Sequence, residues 1–287
     1  MKKILLTGAN GLLASRLIQD LDDKFILYAT YHDQVLQPRK NVNYIRLNLS
    51  DSSNWDALPE EIDIVIHLAQ SSKYRDFPKE ALDIYSVNTN STAYLLNYAA
   101  RFGAQKFIYF STGGLYQPGP GMVSEDSPFL DIRNLNYHFT SKLASELLVN
   151  TYSSIFSTVI VRPFFIYGKG QRRTMFMPRV IDQIKGDKPI VMDGTEGLKV
   201  NPIHVSDASS FVECLIESSM TGIVNMSGPE VLSIKQICEI ISGQMGIRPR
   251  YEYTGKDALD LVSSTKKMLE LGFEHRTRFS DSVKDLF

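Results

Sequence analysis

The chain has 287 residues, of which 43% are hydrophobic and 22% charged, with a formal net charge of −1 at pH 7. This length and composition indicate one large globular domain or two closely associated ones, and the charge gives no electrostatic case for binding nucleic acid or an anionic membrane. No apolar stretch approaches the ~18 residues that a membrane span needs. The two cysteines, Cys214 and Cys238, fall in amphipathic helical stretches typical of small core residues, which fits a reducing cytoplasm. We therefore expect a cytoplasmic protein that binds neither nucleic acid nor membrane.

The first fifteen residues predict a strand, a glycine turn and a helix. Residues 4–6 are a short apolar run of the kind that a parallel strand covered on both faces requires. Gly8 and Gly11 can adopt positive φ and let the backbone approach a ligand closely, and Ala14 is small enough for a helix over 12–21 to lie near the strand. The N-terminus of that helix would direct free N–H groups and a positive dipole end at an anion. This combination predicts a site for the pyrophosphate of a dinucleotide.

Further apolar strands alternate with helical patterns through the first half of the chain, and this alternation predicts a parallel sheet with helices on both faces. The predicted strands are 25–30, 43–47, 62–68, 106–110 and 157–161, and the predicted helices are 83–100 and 136–152. Tyr31 and His32 follow the second strand, where a carboxylate would select NAD and an arginine NADP; neither preference is indicated. His67 lies within an apolar run and is expected to be a core residue.

The alternation of strands and helices stops after Gly170. The remaining elements are predicted as a helix over 177–185, short strands at 200–204 and 223–225, a helix from Ser233 to about Gly246, and two short terminal helices. We interpret the chain as an α/β protein with a Rossmann-like doubly wound sheet and a smaller C-terminal α/β substrate cap over the carboxyl edge of the sheet. The dinucleotide-binding domain would span 1–170, with contributions from about 200–225, and the interleaved cap 171–287.

Several motifs resemble the extended short-chain dehydrogenase/reductase family, specifically the NAD-dependent epimerase/dehydratase branch that acts on sugar nucleotides. Residues 7–14 are similar to the family's TGxxGxx(G/A) turn, 48–51 to its D-L-x-D segment beside the adenine, and 63–69 to its D-x-V-x-H-L-A strand. Asn88 occupies the position of the family's helix asparagine, and 162–170 resemble its R-x-x-N-x-Y-G-P-G segment. Residues 202–207 and 271–273 complete the pattern.

The resemblance implies a cofactor, NAD or NADP, whose binding positions are spread over the whole first domain. The implied contacts are Gly8, Asn10, Gly11, Leu12, Leu13, Tyr31, His32, Asn48, Leu49, Leu68, Ala69, Gln70, Lys142, Pro163 and Ile166. No metal site is expected.

In this family a Ser or Thr, a Tyr, and a Lys four residues after that Tyr carry out the chemistry. Thr112 and Lys142 match the first and last of these positions, but the tyrosine position holds His138. Tyr137 is one place too early, because a five-residue step on a helix turns through about 140°, whereas a four-residue step returns to within about 40° of the same face. Tyr137 could substitute only through a π-bulge in the helix.

Three interpretations remain open. In the first, His138 serves as the acid/base, since imidazole titrates near neutral pH, with Lys142 lowering its pKa by like-charge repulsion. In the second, the chemistry uses other residues, such as Tyr137, Tyr116 or a residue of the cap. In the third, the protein binds the cofactor without catalysis, as a sensor or an interaction protein.

The substrate side also departs from the family pattern. Family dehydratases place Asp-Glu directly after the Thr, and here Gly113 and Gly114 follow Thr112, which argues against a 4,6-dehydratase. The family arginine that holds the nucleotide is replaced by Val200, and 260–263 offer no clear match for a second arginine.

The predicted substrate-binding residues are therefore Arg172 and Arg173, which would hold a pyrophosphate, and Phe165. Phe165 stands where the family often has Asn, which makes the sugar side more apolar and tolerates a deoxysugar. The resulting prediction is an NAD(P)-dependent sugar-nucleotide epimerase or ketoreductase. By resemblance alone, a homodimer would form through the helices of 83–100 and 136–152.

Overall fold

The computed structural model describes residues 1–34 and 37–287. The elements of its first part are β1 (Lys3–Thr7), α1 (Leu12–Leu21), β2 (Ile26–Tyr31), β3 (Val42–Arg46), β4 (Ile64–His67), α2 (Ala81–Tyr85), α3 (Ser91–Arg101), β5 (Lys106–Phe110), β6 (Met122–Val123), α4 (Tyr137–Thr151) and β7 (Ser157–Pro163). Those of the second part are β8 (Ile166–Tyr167), α5 (Phe176–Lys185), β9 (Ile190–Met192), β10 (Lys199–Val200), β11 (Ile203–His204), α6 (Val205–Glu217), β12 (Gly222–Met226), β13 (Leu232–Ser233), α7 (Ile234–Met245), β14 (Tyr251–Tyr253), β15 (Val262–Ser263), α8 (Lys266–Glu270) and α9 (Phe279–Ser282).

Seven of these strands form the central sheet, in the order β12-β7-β5-β4-β1-β2-β3. The neighbouring pairs from β7 to β3 are all parallel. The central strands β1, β4 and β5 are rich in apolar residues and almost wholly buried, as expected of parallel strands that helices cover on both faces. The predicted Rossmann-like doubly wound sheet is confirmed.

The chain runs outward from β1 through β2 to β3, and then returns to β4 on the opposite side of β1. The strand order therefore reverses between β1 and β4. In open α/β sheets, ligands bind outside the carboxyl ends of the strands at such a reversal. The residues that follow these two strands are the Gly8 turn and the segment 68–70.

The predicted helix over 83–100 is not one continuous α-helix. A π-helical turn, Ser86–Asn90, separates α2 from α3. The wider turn accommodates the buried side chain of Asn88, whose Oδ1 accepts from the Ser71 amide at 2.9 Å and whose Nδ2 donates to Ser141 Oγ at 2.9 Å. Asn88 thus joins the segment after β4 to helix α4, a link that hydrophobic periodicity could not indicate.

The structure divides into two compact units. The first comprises Met1–Leu115, Leu130–Arg162 and Ser209–Val224, and the second Tyr116–Phe129, Pro163–Ala208 and Asn225–Phe287. The core of the second unit packs α5 and α7 around the short strand β9. Its helix α7 begins at the predicted N-cap, where Ser233 and Gln236 form a reciprocal capping box, and ends at Gly246.

Both cysteines are helical, as predicted. Cys214 lies in α6 and Cys238 is buried in α7, where burial raises the pKa of its thiol to about 12. Across residues 1–34 and 37–287, no helix combines the length and the apolarity that crossing a membrane requires.

Candidate active site

Close backbone approach shapes the turn after β1. Gly8 has φ 79°, and a Cβ on it would lie 3.0 Å from Cα of Ala69, the second residue after β4. Gly11 does not adopt the positive φ considered above: its φ is −74° and its ψ 156°. Glycine is favoured there for a different reason, because a Cβ would lie 3.1 Å from the Gly8 carbonyl oxygen. Both positions suit glycine, one through conformation and crowding and the other through crowding alone.

The N-terminus of α1 fits an anionic ligand. Gly11 is its N-cap, no described side chain caps the helix, and its first turn contains no acidic residue. The N–H groups of the first turn, at Leu12 and Leu13, are therefore left for another acceptor. A dinucleotide pyrophosphate supplies oxygen acceptors and negative charge of the kind that this helix end attracts.

A residue that the sequence analysis missed lies at the edge beyond β2. Arg46 ends β3 and is the register partner of Tyr31, and its Nε donates to the His32 carbonyl at 3.3 Å. The imidazole of His32 lies 3.0 Å from the Asp33 carboxylate, and Asn10 Nδ2 donates to the Gln34 carbonyl at 3.1 Å. Only the sheet register brings Arg46 here, so no local motif could have identified it.

The segments after β3 and β4 border the same edge of the sheet. Oδ1 of Asn48 accepts from the amide and hydroxyl of Ser50, at 3.1 and 2.8 Å, and so fixes the turn that presents Leu49. After β4, the Ala69 amide donates to Oγ1 of Thr7 at 3.2 Å. This bond holds the segment Leu68, Ala69 and Gln70 beside the glycine turn.

His67 is the core residue that the sequence predicts. Its ring hydrogen-bonds Thr7 Oγ1 at 2.7 Å and Thr92 Oγ1 at 3.1 Å, and it has no exposed surface. Burial, aided by the charge of Lys142, lowers the pKa of His67 to about 3, so the ring is neutral.

Helix α4 carries two of the predicted catalytic residues. Its N-cap is Asn136, whose Oδ1 accepts from the Phe139 amide at 2.9 Å, and Tyr137–Thr151 are α-helical throughout. Because this helix contains no π-turn, Tyr137 cannot reach the face of Lys142 in the way considered above. Its ring instead stacks on Phe77, with centroids 4.8 Å apart.

The other candidate tyrosine is also engaged elsewhere. Tyr116 is fully buried, and its hydroxyl donates to Asn225 Oδ1 at 2.8 Å. Both tyrosines are therefore held by contacts of their own.

Lys142 is held inside the protein. Only 2% of it is exposed, its Nζ donates to the Phe110 carbonyl at 2.7 Å, and Nζ lies 5.1 Å from the ring centroid of Tyr109. Burial lowers the pKa of Lys142 to about 7, while the charge of Glu146 acts in the opposite direction. Glu146 is in turn held by Arg162 through two hydrogen bonds of 3.0 and 2.7 Å.

His138 lies one turn before Lys142 on the same helix. No atom of the described residues hydrogen-bonds its buried Nδ1, and the ring of Tyr74 lies 4.8 Å away, centroid to centroid. Burial first, and then the charges of Lys142 and Arg75, lower the pKa of His138 to about 3. Tyr74 and Arg75 come from the segment after β4, and sequence analysis did not identify either.

Thr112 follows β5. Its Oγ1 accepts from the Gly114 amide at 3.1 Å, which leaves the hydroxyl proton free to be donated to a ligand. The space beside Gly114 is filled, because a Cβ there would lie 2.5 Å from Cζ of Phe139. A carboxylate at this position, as in the family dehydratases, would not fit without displacing Phe139.

The predicted substrate residues belong to the second unit. Arg172 and Arg173 are exposed, and the Nε of Arg173 donates to the Asp182 carboxylate at 3.0 Å. Phe165 has φ 45°, an uncommon conformation for a bulky residue, and its ring packs edge-on against Phe176. Of the remaining predicted cofactor positions, Pro163 ends β7 and Ile166 pairs with Ile203.

Comparisons with known proteins agree with this architecture. A family model described as the NAD dependent epimerase/dehydratase family matches residues 4–227. An uncharacterized UDP-glucose epimerase of Bacillus subtilis (strain 168) is 26% identical over 276 residues, covering 89% of this chain and 86% of that protein. A GDP-6-deoxy-D-talose 4-dehydrogenase of Aggregatibacter actinomycetemcomitans is 26% identical over 288 residues, covering 96% of this chain and 92% of that protein.

The fold is shared with a solved enzyme structure. UDP-glucuronic acid 4-epimerase from Bacillus cereus in complex with NAD superposes with a TM-score of 0.86 at 23% identity, over 99% of this chain and 94% of that chain. The family is one of NAD-dependent enzymes, and the resemblance that the motifs indicate is confirmed. The chain belongs to the NAD dependent epimerase/dehydratase family.

Proposed function

We propose that this protein is an NAD(P)-dependent sugar-nucleotide epimerase or ketoreductase, which transfers hydride at a sugar carbon. The observation that carries the proposal is that Lys142 is held at a fixed position by the Phe110 carbonyl, one helical turn from His138. Both residues lie in the same compact unit as the glycine turn at the start of α1. Retention of Thr112, with a hydroxyl proton to donate, together with Lys142 supports catalysis over dinucleotide binding alone. Relatives whose names give an epimerase and a 4-dehydrogenase support chemistry of this class.

The cofactor would be held chiefly by backbone. The amides at the start of α1 would bind the pyrophosphate, and the adenosine would lie toward Tyr31, His32 and Asn48. Arg46 adds a guanidinium at this edge, of the kind that would accept the 2′-phosphate of NADP. When bound, the nicotinamide supplies the hydride acceptor or donor, and the protein must handle only the proton of the reacting oxygen.

Three side chains are proposed to contact that oxygen. Thr112 has a hydroxyl proton to donate, while His138 and Lys142 present nitrogen atoms from one face of α4. An epimerase and a ketoreductase need the same three groups. The filled space at Gly114 supports these two reactions over a dehydratase.

The substrate is proposed to be a nucleotide sugar, with Arg172, Arg173 and Phe165 as binding residues. Arg173 is already paired with Asp182, so Arg172 is the arginine more readily available for a pyrophosphate. An apolar Phe165 favours a deoxysugar over a fully hydroxylated one.

We also propose a cytoplasmic homodimer. Large apolar side chains are exposed on α2 and α4: Leu82 is 82% exposed, Tyr85 50% and Leu147 63%. Burying such residues against a second copy would remove apolar surface from water. A mass measurement in solution tests this, with Leu82→Lys expected to shift the protein toward monomer and a monomeric wild type contradicting the proposal.

The catalytic proposal is tested in two steps. Thermal stabilisation by NAD(H) and NADP(H) shows whether a dinucleotide binds, and product analysis with a panel of nucleotide sugars shows whether one is converted. His138→Phe should lower turnover by about 10²–10³-fold and leave dinucleotide binding unchanged, whereas Tyr137→Phe, the matched control one residue earlier, should leave both unchanged. Recovery of rate in His138→Tyr would connect the site to the usual family mechanism.

Dinucleotide binding without conversion of any nucleotide sugar would favour the non-catalytic sensor. Binding of neither dinucleotide would overturn the proposal altogether. Unchanged turnover in His138→Phe would move the chemistry to other residues.

A further inference from the structure

His138 and Lys142 are four residues apart on regular turns of α4, so their side chains lie on one face of the helix about 5–6 Å apart at Cβ. Two proton-carrying groups this close cannot both be charged without mutual repulsion. What surrounds each group therefore decides which of them carries the charge.

The surroundings of His138 oppose a charged imidazole. An imidazolium has a proton on both nitrogens, and at Nδ1 that proton would be buried without an acceptor. The charged groups that act on this ring are Lys142 on its own helix and Arg75 from the segment after β4, and both are cations. The ion pairs to histidine within residues 1–34 and 37–287 involve His32 and His204, so no carboxylate pairs with this ring.

The neutral ring is therefore fixed in one form. Its single proton stays on Nε2, because a proton on the buried Nδ1 would find no acceptor among the described residues. His138 in this form is a hydrogen-bond donor that neither takes up nor releases a proton near neutral pH.

The surroundings of Lys142 differ. Its Nζ donates a hydrogen bond to the Phe110 carbonyl at 2.7 Å and lies over the uncharged Tyr109 ring. The carboxylate nearest along its helix, Glu146, is already bound through both oxygens by Arg162, and His67 from β4 is neutral. Burial with so little compensating charge keeps ammonium and free amine close in energy, which agrees with a Lys142 pKa of about 7.

Resting on the proposed function, we propose a division of labour in which Lys142 carries the proton of the reacting oxygen, and neutral His138 donates a hydrogen bond to that oxygen. With a bound nicotinamide supplying the hydride acceptor, the C–H bond at the carbon that bears the hydroxyl would break as its C=O bond forms, and the O–H proton would pass to the Lys142 amine directly or through one water. Reduction is the reverse. Neutral imidazole polarising a carbonyl, beside a separate proton carrier, is an established way to divide these roles.

Substitutions at the two positions separate this assignment from one in which His138 is the acid/base. His138→Gln keeps an N–H donor but cannot titrate, so it should retain turnover to within about 10-fold, whereas His138→Phe, which has no donor, should lose about 10²–10³-fold. Lys142→Arg keeps the cation but cannot release a proton, and should lose about 10²–10⁴-fold. Lys188→Met, at an exposed lysine, is the control and should be unaffected.

The assignment also predicts the direction in which kcat/KM changes with pH. Oxidation needs the free amine, so its kcat/KM should rise with pH through an inflection near 7, and reduction needs the ammonium, so its kcat/KM should fall through the same inflection. The inflection should persist in His138→Gln and vanish in Lys142→Arg. An inflection that vanishes in His138→Gln would overturn the assignment.

A readout independent of turnover is nuclear magnetic resonance of the full chain with labelled histidine rings and lysine side-chain nitrogens, the two signals being assigned with His138→Gln and Lys142→Arg. We expect one lysine to titrate near pH 7 and the His138 ring to show no titration above about pH 5. Titration of His138 between about pH 6 and 7, with turnover intact, would overturn the division of labour alone. Failure of the wild type to convert any nucleotide sugar would instead overturn the proposed function, and the proton-carrying role with it.

Discussion

The glycine turn after β1 and the face of α4 that carries His138 and Lys142 lie in the same compact unit but depend on different parts of the chain. The turn is built from backbone. Gly8 and Gly11 are needed because a Cβ at either position would crowd its neighbours, and the ligand would bind to backbone amides. The face of α4 is built from side chains, and its properties come from groups on other elements, such as Arg75, Phe110 and Arg162. A site of the first kind depends on a local motif, whereas one of the second kind depends on tertiary surroundings.

The largest expected effect is a loss of stability at low pH, caused by the two buried histidines that are neutral in the folded protein. His67 and His138 both have a folded-state pKa of about 3, below the unfolded value near 6.5, so the unfolded chain binds more protons in this window. The free energy of unfolding should be fully retained above pH 6.5 and fall by about 1.4 kcal/mol per pH unit for each ring as the pH drops toward 3. Denaturant unfolding at several pH values measures this slope.

His138→Gln isolates the contribution of the His138 ring to the acid-dependent slope of the free energy of unfolding. We expect it to remove about half of the acid-dependent slope. The control Tyr137→Phe should keep the full slope, and an unchanged slope in His138→Gln would mean that this ring is charged in the folded protein.

Breaking the buried ion pair tests how far the face of α4 depends on distant elements. Arg162→Met leaves Glu146 buried without its partner and should lower the free energy of unfolding by about 3–5 kcal/mol. The exposed pair of Arg133 and Asp131 is the control, because Arg133→Met should cost less than about 1 kcal/mol. Equal, small losses from both substitutions would contradict the view that the buried Glu146 depends on Arg162.

The glycine turn can be tested with two glycines of nearly equal φ. Gly8 has φ 79° beside Ala69, whereas Gly103 has φ 76° and open space where a Cβ would lie. Gly103→Ala should cost about 1–2 kcal/mol, from conformation alone, and Gly8→Ala about 1–2 kcal/mol more, from crowding. Only Gly8→Ala should also weaken dinucleotide binding, as measured by calorimetry.

A smaller effect is expected at Gly114, where a glycine backbone lies against Phe139, a side chain of α4. The Cβ of Gly114→Ala would lie 2.5 Å from Cζ of Phe139, so this substitution should cost about 1–3 kcal/mol, and Phe139→Leu in the same chain should recover most of the loss. Gly119→Ala, in open space, is the control. Additive losses in the double variant would show that Phe139 does not fill the space beside Gly114.

The smallest effect is expected at the start of α4. Asn136→Ala removes the side-chain acceptor of the Phe139 amide and should cost about 1 kcal/mol, most of which Asn136→Ser should recover. Thermal unfolding measures both, and a loss in the serine variant as large as in the alanine variant would show that capping is not the cause.

The same contrast explains what the sequence could predict. The strands of the central sheet, α1, the Ser233 cap and the core position of His67 follow from local patterns, and the structure agrees with each of them. The predicted strand over 200–204 is instead two short strands, β10 and β11. The π-turn at Asn88 depends on contacts with Ser71 and Ser141, which lie 17 and 53 residues away in the chain, and periodicity carries no sign of them.

The candidate site could be predicted only in part, for the same physical reason. Helical geometry was enough to show that Tyr137 cannot share a face with Lys142, and the regular α4 agrees. The charge of His138 could not be predicted in full, because it depends on the burial of Nδ1 and on Arg75, which belongs to a distant segment of the chain. Arg46 reaches the edge of β2 only through the register of the sheet.

The proposed function requires the face of α4 that carries His138 and Lys142 to support hydride transfer at a carbon of a nucleotide sugar. The most direct test is to mix dinucleotide-loaded protein with an accepted nucleotide sugar and follow the near-ultraviolet absorbance of reduced nicotinamide in a single turnover. We expect a change in this absorbance with the wild type, little or none with His138→Phe at equal dinucleotide occupancy, and a change of intermediate rate with His138→Gln. An identical absorbance change in wild type and His138→Phe, or no change in the wild type with any nucleotide sugar, would contradict the account.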